Sequence, residues 1–182
     1  MGTAAKVRHT IQDVLNTPED VRVELVDGFL YNMTSPTTTH QRIVGTLFRK
    51  IASALEAKKC GCETFVAPFA VFVRDDEYNY VEPDIVVVCD PDKIKDDGCH
   101  GAPDLVVEVT SESSRTRDYL TKLRLYDDAG VKEYWIMDPE NNRATVYRLN
   151  ENEDLHGVAE FSFKDSLTSW LFPDMQIDLS DL

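Results

Sequence analysis

Residues 104–138 read DLVVEVTSESSRTRDYLTKLRLYDDAGVKEYWIMD, and the predicted fold is built outward from this stretch. Its first part, Leu105–Val109, is a nearly apolar run that is typical of a central strand covered on both faces. A helix is predicted to begin at an N-cap, Ser113 or Ser114, and to end before Gly130. The last part, KEYWIMD, predicts another strand. The stretch therefore indicates a strand, a helix and a second strand in immediate succession.

The flanking sequence extends this pattern into an α/β fold of the mixed, or α+β, type. Residues 22–33 predict a hairpin around the Asp27-Gly28 turn, and a helix is expected from Ser35 and Pro36 to about Lys59. The other predicted strands are Glu63–Arg74 with a bend at Pro68, Ile85–Cys89 and Arg143–Leu149, with short strand-like pieces over Phe161–Leu179. The order is roughly ββαβββαββ, which predicts a central mixed β-sheet flanked by helices.

Length and composition limit the classes of protein that the chain can represent. Its 182 residues predict a single domain over residues 1–182, with an N-terminal arm over residues 1–19. No apolar run is long enough for a transmembrane helix, and MGTAAKVRHT has no secretory h-region, so the expected location is cytoplasmic. The net charge of −14, from 33 acidic against 19 basic residues, counts against an avid nucleic-acid binder.

The four cysteines allow a zinc interpretation, which we consider weak. Cys60 and Cys62 flank one glycine, a spacing that is too tight for an ordinary bridge and differs from the usual C-x2-C zinc spacing. A zinc site would need Cys89 and Cys99 to meet them, with His100 as a further ligand. In a cytosolic chain the cysteines are expected to be free packing residues.

Two acids interrupt apolar strands and are the first candidates for a functional site. Glu108 lies in the middle of LVVEV, where an unpaired buried carboxylate would cost several kcal/mol. Asp84 begins the neighbouring apolar run. Acids at the ends of adjacent strands would offer hard oxygen ligands to Mg²⁺ or Mn²⁺. The alternative is a structural acid that pairs with an arginine or caps a helix.

The helix after Glu108 offers a third candidate. If Tyr119, Leu123 and Tyr126 form its core face, Lys122 lies about 60° to one side at the helical step. From this flank a long side chain can carry its ammonium to a site on the sheet. Arg115 is predicted on the same flank. The alternative for Lys122 is an ordinary solvated lysine.

Several segments together resemble one protein family. VEPDIVVVCD, SLTSWLFPDMQIDL and the long segment from GAPDLVVEV to EYWIMDPE are similar to the Uma-two family of bacterial endonuclease-like proteins, which is abundant in cyanobacteria. VELVDGFL and SPTTTHQRIVGTL extend the resemblance from about residue 20 to the C-terminus. The family belongs to the PD-(D/E)xK superfamily, so the resemblance implies a restriction-endonuclease-like core.

The resemblance assigns roles to individual residues. Asp84 matches the aspartate of the PD motif, and Glu108 matches the (D/E) position. The expected lysine two residues later is replaced by Thr110, and Lys122 on the following helix matches the family's displaced lysine. Glu24 and His40 are secondary assignments. Glu24 resembles the superfamily's N-terminal acid, and His40 resembles the family's histidine after the Ser-Pro turn, although a plain surface acid and a core histidine are the alternatives.

The resemblance implies a metal-dependent endonuclease that hydrolyses phosphodiester bonds of nucleic acid, with DNA as the expected substrate. Asp84, Glu108 and the carbonyl of Val109 are expected to hold Mg²⁺ or Mn²⁺, and Lys122 is expected to help activate a water. The competing interpretation is a binding or accessory module that keeps the nuclease fold without turnover. A homodimer is left open, and a zinc-cysteine structural protein ranks third.

Overall fold

The computed structural model describes residues 8–18, 20–148 and 157–182. Parts of the predicted arm, residues 1–7 and 19, lie outside the described residues, as does Leu149 at the end of a predicted strand. Within the described residues, no helix is long and apolar enough to cross a membrane.

Three helices and thirteen strands can be defined in these ranges. In chain order they are α1 (Ile11–Leu15), β1 (Val23–Val26), β2 (Phe29–Asn32), α2 (Thr38–Lys58), β3 (Glu63–Val66), β4 (Val71–Phe72), β5 (Ile85–Val88), β6 (Ile94–Lys95), β7 (Gly98–His100), β8 (Leu105–Val109), α3 (Leu123–Ala129), β9 (Glu133–Asp138), β10 (Arg143–Arg148), β11 (Val158–Ser162), β12 (Ser166–Thr168) and β13 (Gln176–Asp178). A 3₁₀ turn precedes β6, and a π-helical turn over Arg117–Lys122 leads directly into α3.

A six-stranded mixed sheet forms the centre of the fold, in the order β11-β10-β9-β8-β5-β3. Only the β8–β9 pair is parallel, and α3 with its preceding π-helical turn forms the crossover between these two strands. The other neighbouring strands run antiparallel. This arrangement confirms the predicted mixed sheet, and β8 has the bounds that the sequence predicted.

The two faces of the sheet are covered by different helices. Leu47 and Ile51 of α2 pack on one face against Leu105 and Val107 of β8. Tyr126 of α3 packs on the other face, in a second cluster of buried residues. Because β8 is covered on both sides, all five of its residues are buried, including Glu108.

Some predicted boundaries are wrong. Helix α2 begins after Thr37, whose side chain accepts a hydrogen bond from the backbone N–H of His40 at 3.2 Å, so Ser35 is not the N-cap. The predicted end near Lys59 agrees with the structure, in which the helix ends at Lys58 and Lys59 adopts the left-handed conformation of a C-cap. Additional short strands and α1 expand the predicted ββαβββαββ order, because local runs of two to five residues lack a detectable periodicity.

The cysteine prediction is partly wrong. Cys62 and Cys89 form a disulfide, although all four cysteines were expected to be free. The strand register explains the pairing, because Glu63 faces Val88 and the next pair along the ladder is Cys62 with Cys89. This proximity depends on strand pairing and is invisible in the local Cys60–Cys62 spacing. Cys99 is a free, buried packing residue, as predicted.

We expect Leu47→Ala to lower the free energy of unfolding by about 2–5 kcal/mol, because it removes a fully buried side chain between α2 and the sheet. Urea denaturation followed by circular dichroism would measure the loss. Leu120→Ala is the matched control, since Leu120 is 66% exposed and its truncation should change stability by no more than about 0.5 kcal/mol. Equal losses in the two variants would contradict the described packing.

Candidate functional site

The sheet register brings the two predicted strand acids together. Ile85 pairs with Val107 in the antiparallel β5–β8 ladder, so the preceding residue, Asp84, lies opposite Glu108. Directly opposed residues in such a ladder have Cβ atoms about 4.5–5.5 Å apart. The backbone N–H of Val109 also donates a hydrogen bond to Asp84 Oδ2 at 2.8 Å. The prediction that Asp84 and Glu108 belong to one site therefore agrees with the strand geometry.

Lys122 joins Glu108 to the N-terminal hairpin. Its ammonium Nζ lies 2.7 Å from Glu108 Oε1 and 2.8 Å from Glu24 Oε1. Glu24 is fully buried, and its Oε1 also accepts a hydrogen bond from the backbone N–H of Glu82 at 3.1 Å. The sequence alternatives of a solvated lysine and a plain surface acid do not describe these side chains, since Lys122 is only 3% exposed.

His40 contacts the Asp84 side of the site from the first turn of α2. Its Nε2 lies 3.1 Å from Asp84 Oδ2. Burial lowers the pKa of His40, but hydrogen bonds to the Asp84 carboxylate and the Val109 carbonyl, together with the charge of Asp84, raise the pKa above its ordinary value. All of the side chains assigned from the sequence thus fall into two contacting groups, His40 with Asp84 and Lys122 with Glu24 and Glu108.

Lys122 is more deeply buried than the predicted flank position implied. Its side chain is 3% exposed and is buried on the same side as Asp118 and Tyr126, and residues 117–122 form a π-helical turn. Arg115 does not reach these acids. It pairs with Asp138 at 2.9 Å and with Glu140 at 2.6 Å.

Two members of the site were missed by sequence reasoning. The hydroxyl of Tyr126 donates a hydrogen bond to Glu108 Oε1 at 2.9 Å, although Tyr126 was considered only as a core residue. Asp118 is buried on the same helical segment, where its charge acts on Lys122. Asp118, Lys122 and Tyr126 are spaced by four residues, and this i, i+4 pattern is the signal that could have grouped them.

The charges of the site are unevenly balanced, because several acids surround one ammonium. Burial raises the pKa of Glu108 to about 8; the Lys122 ammonium opposes this shift, while the charges of Asp84, Asp118 and Glu24 add to it. Burial alone would lower the pKa of Lys122, but Glu108, Glu24 and Asp118 raise it above its ordinary value. A proton or another cation among these carboxylates is therefore electrostatically favourable.

These side chains line one open cavity of about 500 Å³. Within the described residues, no three histidine, cysteine or acidic side chains are arranged as a ready metal-ligand set. Lys122 is one reason why these acids do not form such a set, because its ammonium separates Glu24 from Glu108. The buried Glu24 Oε2 nevertheless has no hydrogen-bond partner among the described residues. The donor set consists of hard oxygens, which fits a magnesium-type cation in chemistry.

Comparison with known proteins identifies the family of this chain. Residues 10–180 match the profile of the Uma2 family, which is described as "Putative restriction endonuclease". The chain belongs to the Uma2 family. An uncharacterised protein of Synechocystis, slr1290, is 28% identical over 132 residues, which cover 72% of this chain and 68% of that protein. The family assignment confirms the resemblance found in the sequence.

A solved structure supports the fold of this Uma2 chain. The crystal structure of a protein from Anabaena variabilis, described as a putative nuclease belonging to DUF820, matches with a TM-score of 0.74 and 19% sequence identity. The match covers 94% of this chain and 96% of the Anabaena chain. At this identity the likeness concerns the fold, and it confirms the predicted nuclease-like α/β architecture.

We expect Lys122→Met to lower the free energy of unfolding by about 3–5 kcal/mol, because it leaves the buried carboxylates of Glu24 and Glu108 without their cation. Urea denaturation at neutral pH would measure the loss. Adding Glu24→Gln and Glu108→Gln to this variant should recover much of the stability, since the buried negative charges are then removed.

Arg124→Met is the control for that measurement, because Arg124 is on α3 and its side chain is 82% exposed. Its loss should change stability by no more than about 0.5 kcal/mol. The ion-pair description is contradicted if Lys122→Met is as stable as the Arg124→Met control.

Proposed function

We propose that this Uma2 protein is a metal-dependent endonuclease that hydrolyses phosphodiester bonds of nucleic acid, with DNA as its substrate. One observation carries the proposal: Asp84 just before β5, Glu108 on β8 and Lys122 at the end of the π-helical turn meet on the wall of one open cavity. Family membership and the nuclease-like fold support the reaction class, and the choice of DNA rests on analogy with the family.

In this proposal Asp84 and Glu108, with the Val109 carbonyl, would hold Mg²⁺ or Mn²⁺. When bound, the metal supplies a Lewis acid that promotes ionisation of water and offsets negative charge on the phosphate. Glu24 offers an additional hard oxygen, since its buried Oε2 has no partner among the described residues. His40 holds the Asp84 carboxylate in place through its hydrogen bond.

Lys122 acts on the reacting groups as a hydrogen-bond donor. An ammonium has three N–H donors. Two of them are directed to Glu24 and Glu108, which leaves one for an attacking water or a phosphate oxygen. The positive charge would also stabilise the negative charge that develops on the phosphate oxygens during hydrolysis. This arrangement lets the helix supply the donor that is missing at Thr110.

A specific observation favours the competing accessory role. The Lys122 ammonium already neutralises Glu24 and Glu108, and no ready metal-ligand set is formed by the described side chains. A protein that kept this ion pair permanently closed could bind nucleic acid without cutting it. Cleavage and metal binding therefore have to be measured separately.

We expect the purified protein to cleave plasmid and oligonucleotide DNA in Mg²⁺ or Mn²⁺, and Glu108→Ala to lower the rate by about a hundredfold or more, because it removes a metal-holding carboxylate. Gel electrophoresis of the products would measure both rates. Glu63→Ala is the control, since Glu63 is an exposed acid of the same sheet and should be dispensable. Cleavage that survives Glu108→Ala or EDTA would overturn the assignment.

Metal binding provides a second test that does not require turnover. Titration calorimetry with Mn²⁺ should detect binding to the wild-type chain, and Asp84→Asn should weaken it by about tenfold or more because one anionic ligand is lost. Glu63→Gln should bind Mn²⁺ as the wild type does. A wild-type chain that binds DNA but takes up no Mn²⁺ would support the accessory role.

A further inference from the structure

Three arginine or lysine side chains line the cavity, and two of them are already paired with acids. Arg22 forms an ion pair with Glu82, and Lys122 is held by the two buried carboxylates described above. Arg117 is the third. Within the described ranges, its guanidinium forms no ion pair, and its buried Nε has no hydrogen-bond partner. Arg117 is therefore the cavity cation that remains available to an external anion.

The Arg117 guanidinium lies over an aromatic ring. Its Cζ is 5.2 Å from the centroid of the Tyr31 ring, within the range of a cation–π contact. Tyr31 lies on β2 directly opposite Glu24 in the hairpin ladder, so the ring belongs to the element that also supplies a site acid. Arg117 begins the π-helical turn that ends at Lys122. The guanidinium is thus held at the cavity wall, where its charge acts on the adjacent Asp118 but forms no ion pair among the described residues.

We propose that Arg117 binds a backbone phosphate of a nucleic-acid strand at the cavity and that Tyr31 positions its guanidinium. The inference rests on the proposed function for its ligand, but it concerns binding and not cleavage. The planar guanidinium can donate two parallel hydrogen bonds to phosphate oxygens.

The charge distribution explains why this contact is needed. The cavity wall carries several acids, and the whole chain has a net charge of −14, so a polyanion is repelled at long range. A local cation that is not engaged by a carboxylate can attract one phosphate and fix the register of the strand. Such contacts determine position on the strand and do not read its sequence.

Binding of a fluorescein-labelled DNA duplex in Mg²⁺ tests the proposal by fluorescence anisotropy. All variants carry Glu108→Gln so that the duplex remains intact. Adding Arg117→Ala should weaken binding by roughly tenfold or more, because a charge-assisted phosphate contact is lost. The slope of log K against log salt concentration should decrease in magnitude by about 0.9, the value for one phosphate contact on duplex DNA.

Arg124→Ala is the matched control, because it removes the same charge from an exposed position of the neighbouring helix. It should leave both affinity and salt slope nearly unchanged. Equal effects of Arg117→Ala and Arg124→Ala would overturn the proposal, as would a Glu108→Gln parent that binds no duplex. If Arg117→Ala does not fold by circular dichroism, Arg117→Lys replaces it and should retain the salt slope while losing affinity.

Tyr31 has its own matched pair of variants. Tyr31→Phe keeps the ring and should bind the duplex as the parent does, whereas Tyr31→Ala should bind several-fold more weakly because the guanidinium loses its support. Equal affinities of the Tyr31→Phe and Tyr31→Ala variants for the duplex would overturn the positioning role of Tyr31.

The outcomes also separate this inference from the proposed reaction. Wild-type protein that cleaves DNA while Arg117→Ala binds like its parent would overturn the inference and leave the reaction standing. If the wild type never cleaves DNA but its binding depends on Arg117, the inference stands and the proposed reaction is overturned.

Discussion

The Lys122 ammonium lies between two buried carboxylates that come from distant parts of the chain. Glu24 belongs to the N-terminal hairpin, Glu108 to a central strand, and Lys122 to the helical crossover that follows that strand. Each of these charges would be costly to bury alone, so the three elements stabilise one another only when they are assembled. The hairpin, sheet and helix thus share a polar junction, and the cavity opens beside it.

Most of the fold could be predicted because its central elements carry strong local signals. The apolar run Leu105–Val109 gave the bounds of β8, and Gly130 gave the end of α3. The boundary of α2 was less accurate, since both Ser35 and Thr37 are residues that favour N-cap positions. The pairing of Cys62 with Cys89 was missed because it depends on which strands are neighbours, and strand neighbours are not encoded in local spacing.

The site was predictable to the extent that its residues break the patterns of their elements. Glu108 interrupts an apolar strand, and Asp84 begins another, so both were visible as acids in unusual surroundings. Asp118 and Tyr126 were missed because an acid and an aromatic residue on an amphipathic helix are ordinary. The burial of Lys122 was underestimated because a lysine was expected on the flank of the helix, although its i, i+4 spacing to Asp118 and Tyr126 places it on their buried side.

The opposition of Asp84 and Glu108 across β5 and β8 has a consequence for how this sequence can change in length. One residue inserted within either strand would turn every following side chain to the other face, separating the acids and also exposing core valines. The connection between β5 and β8 does not set this register, and its own strands β6 and β7 pair with each other and with β4. A change of length within either strand is therefore expected to disrupt both the packing of the core and the chemistry of the site.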